Sequence, residues 1–427
     1  MPYRIAVVGT GYVGLTTGAC LAHLGHNVIC ADIDADKIAK LRSGIIPIVE
    51  LGLAELVAEG VAAGRLSFVV GSVESARTCE IAFLCVPTPQ DEDGSADLNY
   101  VQRAAEEIGT VLPFGSIVVN KSTVPVGSTK IVERALKRAD VKVVSNPEFL
   151  REGSAVQDFL KPDRVVVGSD DHAASLKVAS IYDGLSTRVI ITDPASAETI
   201  KYAANAFLAT KLSFINAIAA ICEGVGADIN DVVVGMGSDK RIGENFLRPG
   251  PGWGGSCFPK DSRALIKIAE DADYSFDLLK GAITVNEQQL ERVAQKIRNA
   301  AGGELTGKTV AIWGLTFKAG TDDLRDSPAV AISQKLLTLG ARIQAFDPTV
   351  KEHRTGIPTE IVICDSPFNA TTNADVLTVL TEWDDFKMIS PSTIATKMSG
   401  KQIIDARNVL DRHEWERVGF IYQGIGR

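Results

Sequence analysis

The chain carries no basic excess. Its 44 Lys and Arg stand against 53 Asp and Glu, a formal charge of −9 with a pI near 5.3. Binding a phosphate backbone needs a basic footprint, so no nucleic-acid partner is expected and any bound phosphate must be met by local charge. Long apolar runs are missing too: no stretch approaches the roughly 18 uninterrupted apolar residues of a membrane span. The opening MPYRIAVVGTG holds one Arg and an apolar run of four, too short for a secretory leader. A cytoplasmic protein with no membrane partner is the expectation. The seven cysteines form no CxxC pair and no cluster with histidine. That arrangement suits neither a disulfide framework nor a zinc site, so no metal is expected. Low-complexity tracts are absent as well.

What is present is the composition of a folded chain, 45% hydrophobic and 23% charged over 427 residues. At roughly 150 residues per domain this length allows about three domains. Cys20, Cys30, Cys79, Cys85, Cys222 and Cys364 lie in or beside apolar segments such as EIAFLCV and IVICDS, where a buried, inert thiol is expected. Cys257 differs: it follows the glycine-rich run of PGWGGSCFPKD, four residues before Asp261.

From residue 3 to about 192, β-rich runs (RIAVVG, NVICAD, LSFVVG, EIAFLCV, SIVVNKS, VKVVSN, RVVVGS, RVIIT) alternate with helical periodicity. Such alternation predicts βαβ units around a largely parallel, doubly wound sheet. The pattern changes at DPASAETIKYAANAFLATKLSFINAIAAICEGVG. Asp193 can cap, Pro194 suits the first helical position, and apolar residues keep helical spacing up to Gly224 and Gly226. About 30 residues at 1.5 Å each span about 45 Å, long enough to join two domains and leave a flank for a second subunit. Helical patterns in SRALIKIAEDAD and FDLLKGAITVNEQQLERVAQKIRNA carry the middle segment to about residue 300. Strand signals then return in TVAIWGL, ARIQAFDP, IVICDS, DVLTVL and QIIDARN, predicting a second, smaller α/β unit.

GTGYVG, residues 9–14, follows a strand pattern and opens a helix pattern. Gly9, Gly11 and Gly14 then allow a tight turn, backbone approach to a pyrophosphate, and close helix–strand packing, with Tyr12 and Val13 in the first helical turn. A glycine turn without a ligand is the bland reading. Asp32 ends the second strand pattern 18 residues beyond Gly14, close to the offset of about 20 expected of a ribose-binding carboxylate. A carboxylate there repels a 2′-phosphate, so NAD is preferred to NADP. At Cys257, a thiol that attacks an aldehyde can carry it to a thioester that water releases. Gly254 and Gly255 would let substrate approach the sulfur, while Lys260 and a helix start would favour the thiolate. The competing reading is a tight connector with a half-buried thiol.

PGPGWGGSCFPKDSRAL resembles the catalytic cysteine motif of the UDP-glucose/GDP-mannose dehydrogenase family. The resemblance continues through CVPTP, NKSTVPVGS, SNPEFLREGSAVQDFLKPDRVVVG, AETIKYAANAFLA, KRIGENFLRPGPG, WGLTFKAGTDDLRDSP and DARNVLD, nearly the whole chain. It implies two Rossmann-like domains joined by a long central helix, and a four-electron oxidation of the C6 hydroxymethyl of UDP-glucose to a carboxylate with two NAD per turnover. By this resemblance Cys257 is the nucleophile and Glu148 the acid/base for thioester hydrolysis. Lys201 and Asn205, at i and i+4 on one helix face, point at the reacting oxygen, and Thr123 and Asp261 hold water or assist proton transfer. Without the resemblance Glu148 reads as a loop carboxylate and Lys201 as a solvated helix lysine. Asp32, Lys37, Thr88, Thr123, Glu152, Lys260 and Arg325 fall at cofactor positions. Phe149, Leu150, Arg151 and Glu152 line the substrate and nicotinamide region. Phe246, Leu247, Arg248, Gly250, Gly254, Lys318 and Arg407 fall on the substrate side, with Arg241 a candidate for donation from a neighbouring subunit.

Three departures stand out. Trp253 replaces a Phe or Tyr, Val49 and Leu51 alter a segment usually read PIYEPGL, and Ala319 replaces a frequent Pro. The larger ring at 253 would narrow the sugar pocket. The expected division is an NAD-binding domain over 1–193, a central helical dimerisation region over 194–302 and a UDP-binding domain over 303–427, assembled as a homodimer. Oxidation of GDP-mannose or a UDP-N-acetylhexosamine is the alternative activity, and a non-catalytic nucleotide-sugar-binding protein the alternative class.

Overall fold

In the computed structural model residues 2–91 and 94–427 are described. Compactness divides the chain into two units, Met1–Ala204 with Arg263–Ala272, and Asn205–Ser262 with Asp273–Arg427.

The first unit is built on eight strands: β1 (Arg4–Val8), β2 (Asn27–Asp32), β3 (Leu66–Val70), β4 (Ile81–Leu84), β5 (Ile117–Asn120), β6 (Lys142–Ser145), β7 (Arg164–Gly168) and β8 (Arg188–Thr192). Their order is β3-β2-β1-β4-β5-β6-β7-β8. Every neighbouring pair is parallel except β6 with β7, which meet antiparallel at Ser145 and Gly168. Side chains alternate across a strand, so β1 feeds two cores: Ile5 and Val7 enter one, Ala6 and Val8 the other. Both faces are covered, as a parallel sheet requires.

The second unit repeats the plan with β9 (Thr309–Trp313), β10 (Arg342–Phe346), β11 (Val362–Ile363), β12 (Val376–Val379), β13 (Gln402–Asp405) and β14 (Ile421–Gln423), in the order β11-β10-β9-β12-β13-β14 and all parallel. Again the central strand serves two cores, Val310 and Ile312 on one face and Ala311 and Trp313 on the other. The strand β14 escapes the sequence pattern because it is three residues long at a sheet edge. The edge also corrects the reading of Cys364. It follows the two-residue β11 and is half-buried rather than enclosed, because an edge strand lacks a neighbour on one side.

The predicted long helix runs over Pro194–Val225. Asp193 caps it, accepting from the Ser196 N–H at 2.8 Å and the Ser196 hydroxyl at 2.6 Å. By length and composition alone this helix passes as a membrane span. Its side chains argue otherwise, since Glu198, Lys201 and Asn205 are buried against protein polar groups and Ile215, Ala219 and Cys222 belong to a core. A second predicted helix begins four residues earlier than its apolar pattern, at Phe258, and runs to Asp271. Pro259 is tolerated there because a first-turn N–H has no helical acceptor.

Candidate active site

In doubly wound sheets ligands sit at the carboxyl ends of the strands where the order reverses. In the first unit that point lies between β1 and β4. Gly9 leaves β1 with φ +98, and a Cβ there would stand 2.5 Å from the Cys85 carbonyl oxygen. At Gly11, by contrast, a Cβ would meet nothing within 4 Å, so the missing side chain leaves open space above the turn. The helix Tyr12–His23 starts at once, with no side chain capping its first turn. Its N–H groups therefore face the opening, the arrangement that receives a pyrophosphate.

Asp32 lies at the end of β2. One carboxylate oxygen accepts from the Thr10 N–H at 2.9 Å, the Thr10 hydroxyl at 2.6 Å and the Lys37 ammonium at 2.9 Å; the other accepts from the Asp34 N–H at 3.1 Å. Burial opposes the charge, but these donors outweigh it and hold the carboxyl down to about 2. Asp32 is thus ionised at neutral pH and oriented at the turn. The open Gly11, the uncapped helix start and this carboxylate together fit NAD.

The second unit has a counterpart in Asp347, at the end of β10, which accepts from the N–H and hydroxyl of Thr316 at 3.1 and 3.0 Å. Here, however, the carboxylate is fully buried and also takes the Trp383 indole N–H at 3.2 Å. A tryptophan donor occupies the side where Asp32 is still accessible.

Further along the first sheet, the Thr88 hydroxyl donates to the Thr123 carbonyl at 2.9 Å, fixing the loop after β5. Glu148, in the loop after β6, is 2.8 Å from the Lys201 ammonium, with both side chains 4% exposed. Its other oxygen accepts from the Leu150 N–H at 2.5 Å. Phe149 lies under two cations, with Lys201 at 5.5 Å and Arg164 at 3.6 Å from the ring centroid. Two buried residues here were not expected from the sequence. Lys121 contacts Asn146 Oδ1 at 3.2 Å and both aromatic rings of Phe159 and Tyr182 at 5.9 Å. Burial brings its ammonium down to about 8, against the opposing pull of Glu148. Glu198 accepts from Gly127 N–H, Thr129 N–H and Thr129 hydroxyl at 2.6, 3.0 and 2.8 Å, tying the end of the Thr123 loop to the long helix. Polar neighbours hide both in the sequence, Asn120 and Ser122 beside Lys121 and Ser196 and Thr199 near Glu198, so no local pattern signals their burial.

In the second unit Cys257 directly precedes the helix Phe258–Asp271, and its carbonyl accepts the Asp261 N–H at 2.8 Å. Asp261 is wholly buried; its two oxygens take the Lys260 ammonium at 2.7 Å and the Asn205 amide N–H at 2.6 Å. The Cys257 sulfur lies 3.6 Å from the Ser256 hydroxyl. The neighbouring glycines correct an expectation. A Cβ on Gly254 would fall 1.9 Å from the Asp326 carbonyl, and one on Gly255, with φ +83, 2.7 Å from the Phe317 ring. Protein fills the space that the sequence suggested was left for substrate. Trp253 is likewise packed inward, its indole N–H on Ser213 Oγ at 2.8 Å and its ring edge-on to Phe258 at 6.3 Å, so its size is absorbed by the core.

Among the substrate-side residues, Gly250 and Arg407 come together: a Cβ at 250 would stand 3.2 Å from the Arg407 guanidinium. That guanidinium is held by the Leu380 and Phe317 carbonyls at 2.9 and 2.8 Å and by Glu382 at 3.0 Å. Phe246 adopts φ +62 and its ring lies 6.2 Å from Phe258, while Leu247 is buried in a core and Arg248 is exposed. Lys318 lies 5.6 Å from the Phe317 ring. Several cations expected at the ligand sites already face nearby carboxylates: Arg151 pairs with Asp158 at 2.6 Å, Arg241 with Asp239 at 2.5 Å and Arg325 with Asp323 at 2.7 Å. A ligand must compete with those partners.

Comparison with known proteins agrees with this geometry. The UDP-glucose/GDP-mannose dehydrogenase family models match in sequence: the NAD binding domain over residues 3–186, the central domain over 195–288 and the UDP binding domain over 311–412. The chain belongs to this family. A UDP-glucose 6-dehydrogenase of Rhizobium meliloti (strain 1021) is 44% identical, covering 99% of both chains. Among solved structures, a UDP-glucose dehydrogenase from Pyrobaculum islandicum superposes with TM-score 0.92 at 35% identity, covering 100% of this chain and 98% of that one. A UDP-D-ManNAc dehydrogenase from Pyrococcus horikoshii gives 0.88 at 28%, covering 99% of each. As a member of the UDP-glucose/GDP-mannose dehydrogenase family, this chain is an oxidoreductase whose cofactor is NAD.

Proposed function

We propose that the chain oxidises the C6 hydroxymethyl of UDP-glucose to a carboxylate, using two NAD per turnover. The observation that carries this reading is Cys257 at a helix start beside the buried Asp261–Asn205 pair and the Lys260 ammonium that Asp261 holds. NAD, when bound at the Gly9–Gly14 turn with Asp32 at its ribose, accepts one hydride in each oxidation. Lys201 and Asn205 stabilise negative charge on the reacting oxygen, an effect worth about 3–4 kcal/mol per such donor. The Cys257 thiol adds to the aldehyde carbon, forming a C–S bond, and its proton passes to the carbonyl oxygen. Oxidation of that thiohemiacetal leaves a thioester. Glu148, paired with Lys201 at 2.8 Å, takes a proton from water as the water attacks, and the C–S bond breaks to release the acid and restore the thiol. Asp261 orients Asn205 and Lys260, and Thr123 holds water.

The closer identity to the glucose enzymes, at 44% and 35% against 28% for the N-acetylmannosamine enzyme, supports glucose as the sugar. We further assign residues 1–193, 194–302 and 303–427 to NAD binding, dimerisation and UDP binding, in a homodimer working in the cytoplasm. Support for the dimer comes from Phe207, Phe214, Ile221 and Val225, exposed by 50% or more on one helix. The first three recur every seven residues, a stripe suited to a second helix. Arg151, Arg241, Arg248, Lys318, Arg325 and Arg407 are assigned to the ligand phosphates and sugar. NADH absorbance with a panel of UDP- and GDP-sugars tests the reading: UDP-glucose should give two NADH per sugar, and faster turnover of another nucleotide sugar would overturn it.

A further inference from the structure

Glu50 lies between the two substitutions of the segment PIVELGL, and the reaction outlined above gives it no part. It is nonetheless buried, 8% exposed, and collects three donors from two distant stretches of the first unit. Oε2 accepts from the Tyr12 hydroxyl at 2.9 Å and the Gly153 N–H at 2.7 Å, and Oε1 accepts from the Ala155 N–H at 2.8 Å. Tyr12 is the first helical residue after the Gly9–Gly11 turn, while Gly153 and Ala155 directly follow Arg151 and Glu152.

A carboxylate that served only to start the helix Ala155–Leu160 would be satisfied by the two backbone donors. The bond to Tyr12 reaches beyond that task, into the dinucleotide turn. It is also well defined: burial, then the charge of Glu50, push the Tyr12 phenol up, and Glu152 and Glu148 push it the same way. The hydroxyl keeps its proton and donates. Hydrogen bonds to a charged acceptor are the stronger kind, so moving either segment alone strains the shared carboxylate.

We propose that Glu50 is a positioning residue that couples the two ligand segments, so that occupation of the dinucleotide turn and of the sugar-facing segment 149–152 favour one another. The coupling rests on the proposed reading of those segments as the NAD and UDP-glucose sites. Because coupling between sites is reciprocal, either ligand reports it.

The test uses NADH and UDP-glucose, a pair that binds without reacting. In the parent enzyme, saturating UDP-glucose should tighten NADH binding about fivefold or more, the lower range of typical couplings. In Tyr12→Phe, which leaves both backbone bonds to Glu50 in place, the factor should fall towards one. Glu50→Gln should do the same, and the double variant should lose no more coupling than Glu50→Gln alone. Loss of thermal stability with the parental coupling factor intact would make Glu50 a purely structural cap and overturn the proposal. A parent that oxidises UDP-glucose yet shows no coupling overturns the proposal alone. A parent that binds NADH but neither binds nor oxidises UDP-glucose overturns the substrate reading, and the coupling with it.

Discussion

Replacing Glu148 by Gln removes one negative charge from a buried pair while keeping its shape. Glu148 and Lys201 are 2.8 Å apart and each 4% exposed, so the variant takes from a buried ammonium the carboxylate charge it faces. Removing one partner of a buried pair costs about 3–5 kcal/mol. The amide oxygen still accepts from Lys201, which places the loss near the lower figure, about 3 kcal/mol. That leaves a typical domain folded. Lys121 responds too: Glu148 holds its ammonium up against burial, so without Glu148 its value falls further below about 8. The stability deficit should therefore be largest below pH 8 and shrink as the pH rises. Catalytically, an amide cannot take a proton from water, and loss of a general base slows that step about 10²–10⁴-fold. Both oxidations should still occur once. Rapid mixing should show about two NADH per site followed by slow turnover, with a uronyl adduct on Cys257 in the intact-protein mass. Loss of the first oxidation, with neither burst nor adduct, would refute this assignment and move the hydrolytic role to Asp261 or Lys201.

Asp32→Ala should relax the preference for NAD over NADP, read as the ratio of kcat/KM for the two cofactors; equal use of both by the parent would remove the basis for this role. Cys257→Ala should abolish UDP-glucuronate formation, and near-normal product by chromatography would make the thiol structural. Lys121→Met tests the buried ammonium. Its value near 8 lies below the ordinary 10.5, so the folded state holds fewer protons between those pH values and parental stability rises across that window. Below pH 8 the variant should be more stable by about 3 kcal/mol, the shift converted at 1.36 kcal/mol per unit. That advantage should fade towards pH 10.5 in urea unfolding; a gain that does not change with pH would refute it. Phe207→Asp with Phe214→Asp should shift sedimentation from dimer to monomer, whereas an unchanged mass would place the interface elsewhere.

All eight strands of the first sheet, five of the six in the second and the long capped helix follow from local pattern. Alternation of Ile5 and Val7 with Ala6 and Val8 dictates a strand covered on both faces, and Asp193-Pro194 marks a helix start, because periodicity and capping depend only on near neighbours in sequence. The dinucleotide turn was legible for the same reason, since its glycines, helix start and Asp32 lie within a few dozen residues. Tertiary structure alone decided the rest. Glu148 meets Lys201 across 53 positions and Glu50 meets Gly153 across 103, and no local pattern encodes such pairings. The glycines beside Cys257 make the point most clearly. Sequence requires that something come close to them, and only the folded chain shows that the Asp326 carbonyl and the Phe317 ring do so, because a missing side chain specifies available space without specifying its occupant.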